Sequence, residues 1–240
     1  MTDANDKQDL VLLPGLACDS DLWRAQVAGL GDLARIRIAD VAGRDSMAGL
    51  ADDVLAAAPA RFALAGLSMG GYVAQEMLRR APERITRLAL LDSSADADSE
   101  AHAAYRRGLM ELAEKGEFKG VTRRFLPMLV HPDRVEDADL AATVMAMAER
   151  CGRAAYLRQQ TALLHRVDGF DVLGKVACPT LVLCGRQDRL TPVAAHEAMA
   201  AAIPDAELVV LDECGHLSPL EKPDAVTAAM RRWLLRPLAG

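Results

Sequence analysis

Gly66-Leu67-Ser68-Met69-Gly70-Gly71 is the stretch that decides how this 240-residue chain folds. It follows an apolar run at residues 61–65 and precedes residues 70–80, where Val73, Met77 and Leu78 recur at helical spacing. The segment is therefore a G-x-S-x-G pattern set between a strand and a helix. A sharp turn there brings strand and helix close together, and only residues without a bulky Cβ tolerate that approach. The turn exposes the Ser68 hydroxyl. It also aims the Met69 amide at the same place, at a helix N-terminus where negative charge is favoured. A glycine-rich connection carrying an incidental serine would not need both flanking elements, so the context selects the nucleophile.

Outward from this turn, short apolar runs alternate with helical periods. Strands are expected at residues 10–13, 34–39, 61–65, 85–91, 180–184 and 208–211. Helices are expected at 21–30, after the cap Ser46 and before Pro59, and at 70–80, 193–203 and 223–235. This order implies an α/β fold, with a mostly parallel sheet of about six strands covered by helices on both faces. Residues 95–170 break the rhythm, with helical patterns at 101–114, 118–129, 139–150 and 153–165 and no convincing strand. A structureless loop of that length is improbable in a compact domain. Residues 1–94 and 171–240 are thus read as the core, and 95–170 as a helical cap inserted after the strand ending at Asp92.

Composition excludes several functions. With a net charge of −6 and only 4% aromatic residues, the chain lacks both the sign and the stacking platforms of a nucleic-acid binder. No apolar stretch approaches the ~18 residues of a membrane span, and residues 1–9 do not read as a secretory signal. The five cysteines (Cys18, Cys151, Cys178, Cys184 and Cys214) are odd in number and never spaced C-x-x-C. A reducing cytoplasm and a chain without metal or cofactor are the expectations. Oligomeric state stays open.

A neutral hydroxyl needs a base and an orienting acid. His102 and His165 lie in helical patterns of the cap, His131 precedes Pro132 in a turn, and His196 falls inside a helix. His216 differs, because it follows the last strand in Asp212-Glu213-Cys214-Gly215-His216, on the rim that carries Ser68. Two acids compete for it. Asp188 lies just past the strand at 180–184 and is the choice, although an Asx-type turn before the next helix would also use it. Asp92, at the end of the strand at 85–91, is second.

The chain resembles the α/β-hydrolase superfamily over most of residues 10–236. The order Ser68, Asp188, His216 matches that family's nucleophile, acid and base. Leu12-Leu13-Pro14-Gly15-Leu16, with Trp23 downstream, is similar to the family's oxyanion loop, which implies that the Leu16 and Met69 amides hold an oxyanion. Gly215-His216-Leu217-Ser218-Pro219-Leu220-Glu221-Lys222-Pro223 is similar to its histidine loop. Pro14-Gly15 stands where many relatives carry His-Gly, so the bonds anchoring the oxyanion loop are expected to differ. Only about nine residues precede the first strand, which implies a trimmed sheet.

The resemblance implies a cofactor-free serine hydrolase that cleaves a small or medium carboxylic ester or lactone through an acyl-enzyme on Ser68. Carbon–carbon hydrolysis of ring-cleavage products, haloperoxidase-like perhydrolysis and acyl transfer would use the same residues. A non-catalytic protein that binds a small ligand is the alternative of another class. Leu109, Met110, Phe125, Leu129, Met145 and Met147 are the apolar cap candidates for substrate contact, with packing as the competing role. Arg106-Arg107 and Arg123-Arg124 are expected on solvated helix faces.

Overall fold

The structure, a computed structural model, describes residues 7–117 and 120–238. Six short strands form its sheet: β1 (Gln8–Leu13), β2 (Ala34–Ile38), β3 (Phe62–Leu67), β4 (Ile85–Leu91), β5 (Thr180–Gly185) and β6 (Ala206–Leu211). Their order is β2-β1-β3-β4-β5-β6, and every neighbouring pair is parallel. Successive side chains of a strand face opposite sides, so burying a sheet on both faces demands apolar residues throughout. Accordingly Val11 and Leu13 pack on one side with α2 (Met47–Ala57), α3 (Met69–Arg80) and α8 (Val193–Ala202). Leu10 and Leu12 pack on the other with α1 (Arg24–Leu30) and, after the short α9 (Ser218–Glu221), with α10 (Pro223–Leu235), where Trp23 and Trp233 are fully buried.

The helix starts obey local chemistry. Ser46 Oγ accepts the Gly49 N–H at 3.2 Å to cap α2, and Asp137 caps α6 (Ala138–Leu164) through the N–H groups of Asp139 and Leu140. No helix among the described residues is long and apolar enough to cross a membrane.

Between β4 and β5 the described residues form helices and turns: α4 (Glu100–Leu112), α5 (Leu126–Leu129), α6 and α7 (Phe170–Leu173). Helix α6 is broken at Gly152, whose φ of 71° and ψ of 167° leave the helical region. That break falls between the two periodic stretches read at 139–150 and 153–165. The expected helix at 118–129 is corrected, because among its described residues only Leu126–Leu129 is helical. Gly120 sits at φ 64°, and Pro127 occupies the first turn of α5, where its missing N–H costs nothing. Residues 118 and 119 of that expectation, and residues 1–6 of the segment read as carrying no secretory signal, lie outside the described residues.

One expectation for the side chains between β4 and β5 also changes. Arg106 is not on a solvated face, since its Nε meets Asp98 Oδ2 at 2.6 Å and Nη1 donates to Gln160 at 3.0 Å. Arg107, Arg123 and Arg124 are exposed. Met147 is fully buried in the core that contains β1 and α10, whereas Met145 is on the surface.

Candidate active site

Parallel strands that end in step put the residues after them on one rim. Ser68 N–H donates to Leu91 O, Asp92 N–H to Leu183 O and Arg186 N–H to Leu211 O, each within 2.9 Å. The segments following β1, β3, β4, β5 and β6 therefore converge at the carboxyl end of the sheet, where open α/β sheets hold their ligands. Four non-glycine residues there adopt positive φ: Ala17 (56°), Ser68 (52°), Asp92 (43°) and Glu213 (52°). Such conformations cost about 1–3 kcal/mol each and persist only where surroundings impose them.

The surroundings of Ser68 are explicit. A Cβ on Gly66 would collide with the Gly70 carbonyl, and one on Gly70 with the Leu13 carbonyl, so the turn closes only with glycine at both. Ser68 sits immediately before α3, and its carbonyl accepts the Gly71 N–H and the Ser93 hydroxyl, both at 2.9 Å. Met69 is the first residue of α3, so its N–H is one of those a helix leaves without an internal acceptor.

The predicted base and acid reach this serine. His216 Nε2 lies 2.9 Å from Ser68 Oγ, and His216 Nδ1 lies 2.8 Å from Asp188 Oδ2. Asp188 Oδ1 accepts the N–H groups of Leu190 (2.8 Å) and Thr191 (3.0 Å), and Oδ2 accepts the Thr191 hydroxyl at 2.6 Å. Asp188 therefore closes an Asx-type turn and holds the histidine at once. Asp92 is fully buried but does not hold the imidazole. It accepts Gly185 N–H (3.1 Å), Ser218 N–H (3.3 Å) and the Ser218 hydroxyl, bracing the loops that carry Asp188 and His216.

Electrostatics follow from these contacts. Burial pushes His216 down, but the neighbouring Asp188 carboxylate outweighs it and leaves the imidazole above its ordinary value. Burial likewise pushes Asp188 up, and His216, Thr191 and the backbone donor bring it below the usual carboxylate range. Asp92, without a cation of its own, is driven well above that range by burial and by the Asp188 charge. With Asp188 accepting at Nδ1, the Nε2 lone pair is the one left facing Ser68.

Two supporting residues are not singled out by the sequence. Glu221, 3% exposed, accepts the N–H groups of His131 (2.6 Å), Gly215 (3.0 Å) and Leu217 (3.2 Å). It thereby clamps both sides of His216 and ties the histidine loop to the segment between β4 and β5, where Leu129 O accepts the His216 N–H at 3.0 Å. Its position five residues after His216, in a loop already quoted, was the available signal. Ser93, which braces the Ser68 carbonyl, receives its own support from His196, whose Nε2 accepts the Ser93 N–H at 2.9 Å. His196 is a packing residue as expected, fully buried and pushed down to about 4 by burial. No grouping of three or more His, Cys, Asp or Glu side chains among the described residues suits a metal ion. A groove of about 350 Å³ borders the rim beside Pro14, Cys18 and Arg150, whereas a larger one of about 790 Å³ opens at the opposite end, by Ile85 and Pro179.

Known proteins resemble this chain in sequence and fold. The chain is 29% identical over 238 residues to a pimeloyl-[acyl-carrier protein] methyl ester esterase of Aromatoleum aromaticum, covering 91% of this chain and 95% of the relative. Its structure resembles that of a thermophilic esterase from Thermogutta terrifontis at a TM-score of 0.85 and 30% identity, covering 95% of this chain and 89% of the other. The enol-lactonase of Burkholderia xenovorans shares the fold at a TM-score of 0.87 and 24% identity, covering 98% and 94% of the two chains. The model of the alpha/beta hydrolase family matches residues 10–229. That match spans nearly the whole chain, which is an enzyme of the alpha/beta hydrolase family.

Proposed function

We propose that this hydrolase cleaves small or medium carboxylic esters or lactones through an acyl-enzyme on Ser68, without a cofactor. The observation that carries the reading is the chain of contacts from Ser68 Oγ to His216 Nε2 (2.9 Å) and from His216 Nδ1 to Asp188 (2.8 Å). The methyl ester esterase and the thermophilic esterase named above support an ester as the reacting group.

In this scheme Ser68 Oγ attacks the carbonyl carbon while His216 Nε2 takes its proton. Asp188 holds the imidazole in the competent tautomer and stabilises its charged form. The carbonyl oxygen becomes an oxyanion received by the Leu16 and Met69 N–H groups, and loss of one such donor costs roughly 3 kcal/mol of transition-state stabilisation. Collapse breaks the bond to the alkoxy oxygen, which leaves with the proton from His216. His216 then takes a proton from water, the hydroxide attacks the acyl carbon, and the acid departs as Ser68 regains its hydrogen. Residues 95–170 act as a cap over the rim, and chain-length selectivity resides there.

Steady-state hydrolysis of p-nitrophenyl esters from acetyl to octanoyl, by the native chain and by Ser68→Ala, tests this. Turnover with a chain-length optimum, abolished by the substitution, is expected. Turnover surviving in Ser68→Ala would remove Ser68 from the chemistry.

A further inference from the structure

The segment after β1 that carries Leu16 is not held by the core alone. Ala17, the next residue, adopts φ 56°, and its N–H donates at 3.1 Å to Oε1 of Gln159, on the second half of α6. Gln159 is fully buried, and its other amide atom, Nε2, donates at 3.2 Å to Val41 O in the segment following β2. The Cys151 thiol, beside the Gly152 break, also points to Oε1, at 3.6 Å. A second tether runs from the first half of α6, where Arg150 meets Asp19 and Asp21, each at 2.6 Å. Cap helix α6 thus grips residues 17–21 on both sides of its own break.

A buried carboxamide is costly unless both ends are paired, and a well-packed apolar residue could fill the same space. What Gln159 supplies beyond filling is direction. It fixes the peptide unit that follows Leu16, and the turn is closed on the other side by Cys18 N–H donating to Gly15 O at 3.2 Å. We infer that Gln159 is a positioning residue for the oxyanion hole: through the Ala17 N–H it sets the orientation in which Leu16 presents its own N–H to the Ser68 adduct. This rests on the serine-hydrolase reading above. It makes the cap part of the catalytic geometry and not only a cover for the substrate.

The test compares the native chain with Gln159→Leu and Gln159→Glu on p-nitrophenyl butyrate, with rates normalised to sites titrated to completion by an alkyl fluorophosphonate. A hole built one donor out of place loses transition-state binding and keeps ground-state binding. Gln159→Leu is therefore expected to lower kcat about tenfold to a hundredfold and leave KM within about twofold. The Ki of a trifluoromethyl ketone, whose hemiketal oxygen occupies the hole, should rise by the same factor. The pH inflection of kcat/KM, which reports His216, should not move. Gln159→Glu keeps an acceptor for the Ala17 N–H and is expected to lose less than the leucine variant. In the native chain, the Ala17 amide should exchange with deuterium as slowly as neighbouring core amides. That measurement carries the test if neither variant folds.

A leucine variant with native kcat, one in which KM alone rises, or a rapidly exchanging Ala17 amide would overturn the inference while leaving Ser68 chemistry standing. A native chain that neither turns over esters nor reacts with the fluorophosphonate would overturn the serine-hydrolase reading, and this inference with it.

Discussion

Asp188 and His216 stand 28 residues apart in sequence and 2.8 Å apart in space, with every remaining acceptor site of the carboxylate taken by Leu190 and Thr191. A carboxylate so fully engaged cannot rotate away from the imidazole. Replacing it with the isosteric amide, Asp188→Asn, keeps the shape and favours the wrong tautomer. We expect kcat to fall by about 10³–10⁴, with KM little changed, in steady-state ester hydrolysis.

Asp92 provides the contrast. Its oxygens serve Gly185 and Ser218, and its carboxyl is already held toward the neutral form. Asp92→Asn should leave kcat/KM within about tenfold of native, with a stability loss of about 1–2 kcal/mol on urea unfolding from the one donor left unpaired. Equal losses of activity in the Asp92 and Asp188 variants would mean that both carboxylates serve the imidazole.

The raised His216 value fixes the sign of the pH dependence. The base works only when neutral, so kcat/KM should rise with pH through an inflection above the ordinary imidazole value of 6.5. In Asp188→Asn the residual activity should show that inflection at lower pH, because the charge that raises it is gone. An unchanged inflection would assign the titration to another group.

His196 titrates in the opposite sense. Its folded value of about 4 lies below the ordinary 6.5, so its contribution to stability is complete above 6.5 and is lost as pH falls toward 4. A shift of this size corresponds to roughly 3 kcal/mol. His196→Gln, which keeps an acceptor for Ser93, should flatten the decline of Tm between pH 6.5 and 4. Parallel Tm profiles for the two proteins would contradict the assignment.

Glu221→Gln keeps one acceptor but turns an amide donor toward a backbone N–H. Removing part of this clamp should cost about 1–3 kcal/mol of stability on urea unfolding and lower kcat more than KM, because the His216 loop and residues 129–131 loosen together.

The strands and the glycine turn around Ser68 were legible because each depends on local pattern: apolar runs for a sheet buried on both faces, and glycines where backbones nearly touch. The Asp188–His216 pairing was legible only as a rim argument, since strand ends predict proximity but not which of two carboxylates turns inward. The 118–129 stretch misled because Val121, Phe125, Leu126 and Leu129 have helical spacing, yet Pro127 marks the start of a helix and not its interior. Ser93 and Gln159 were invisible, and Glu221 was marked only by its place in the loop after His216, because their value lies in backbone groups brought to them by long-range folding. A side chain that accepts N–H bonds from distant loops leaves no periodic trace in the sequence.

The central claim is that Ser68 carries the acyl group. Rapid quenching of the native chain with p-nitrophenyl butyrate, followed by peptide mass spectrometry, tests it most directly. The account predicts one butyryl group on the peptide containing Ser68, formed with a burst of p-nitrophenol and absent in Ser68→Ala. A butyryl group on another residue, or turnover by Ser68→Ala at the native rate, would contradict it.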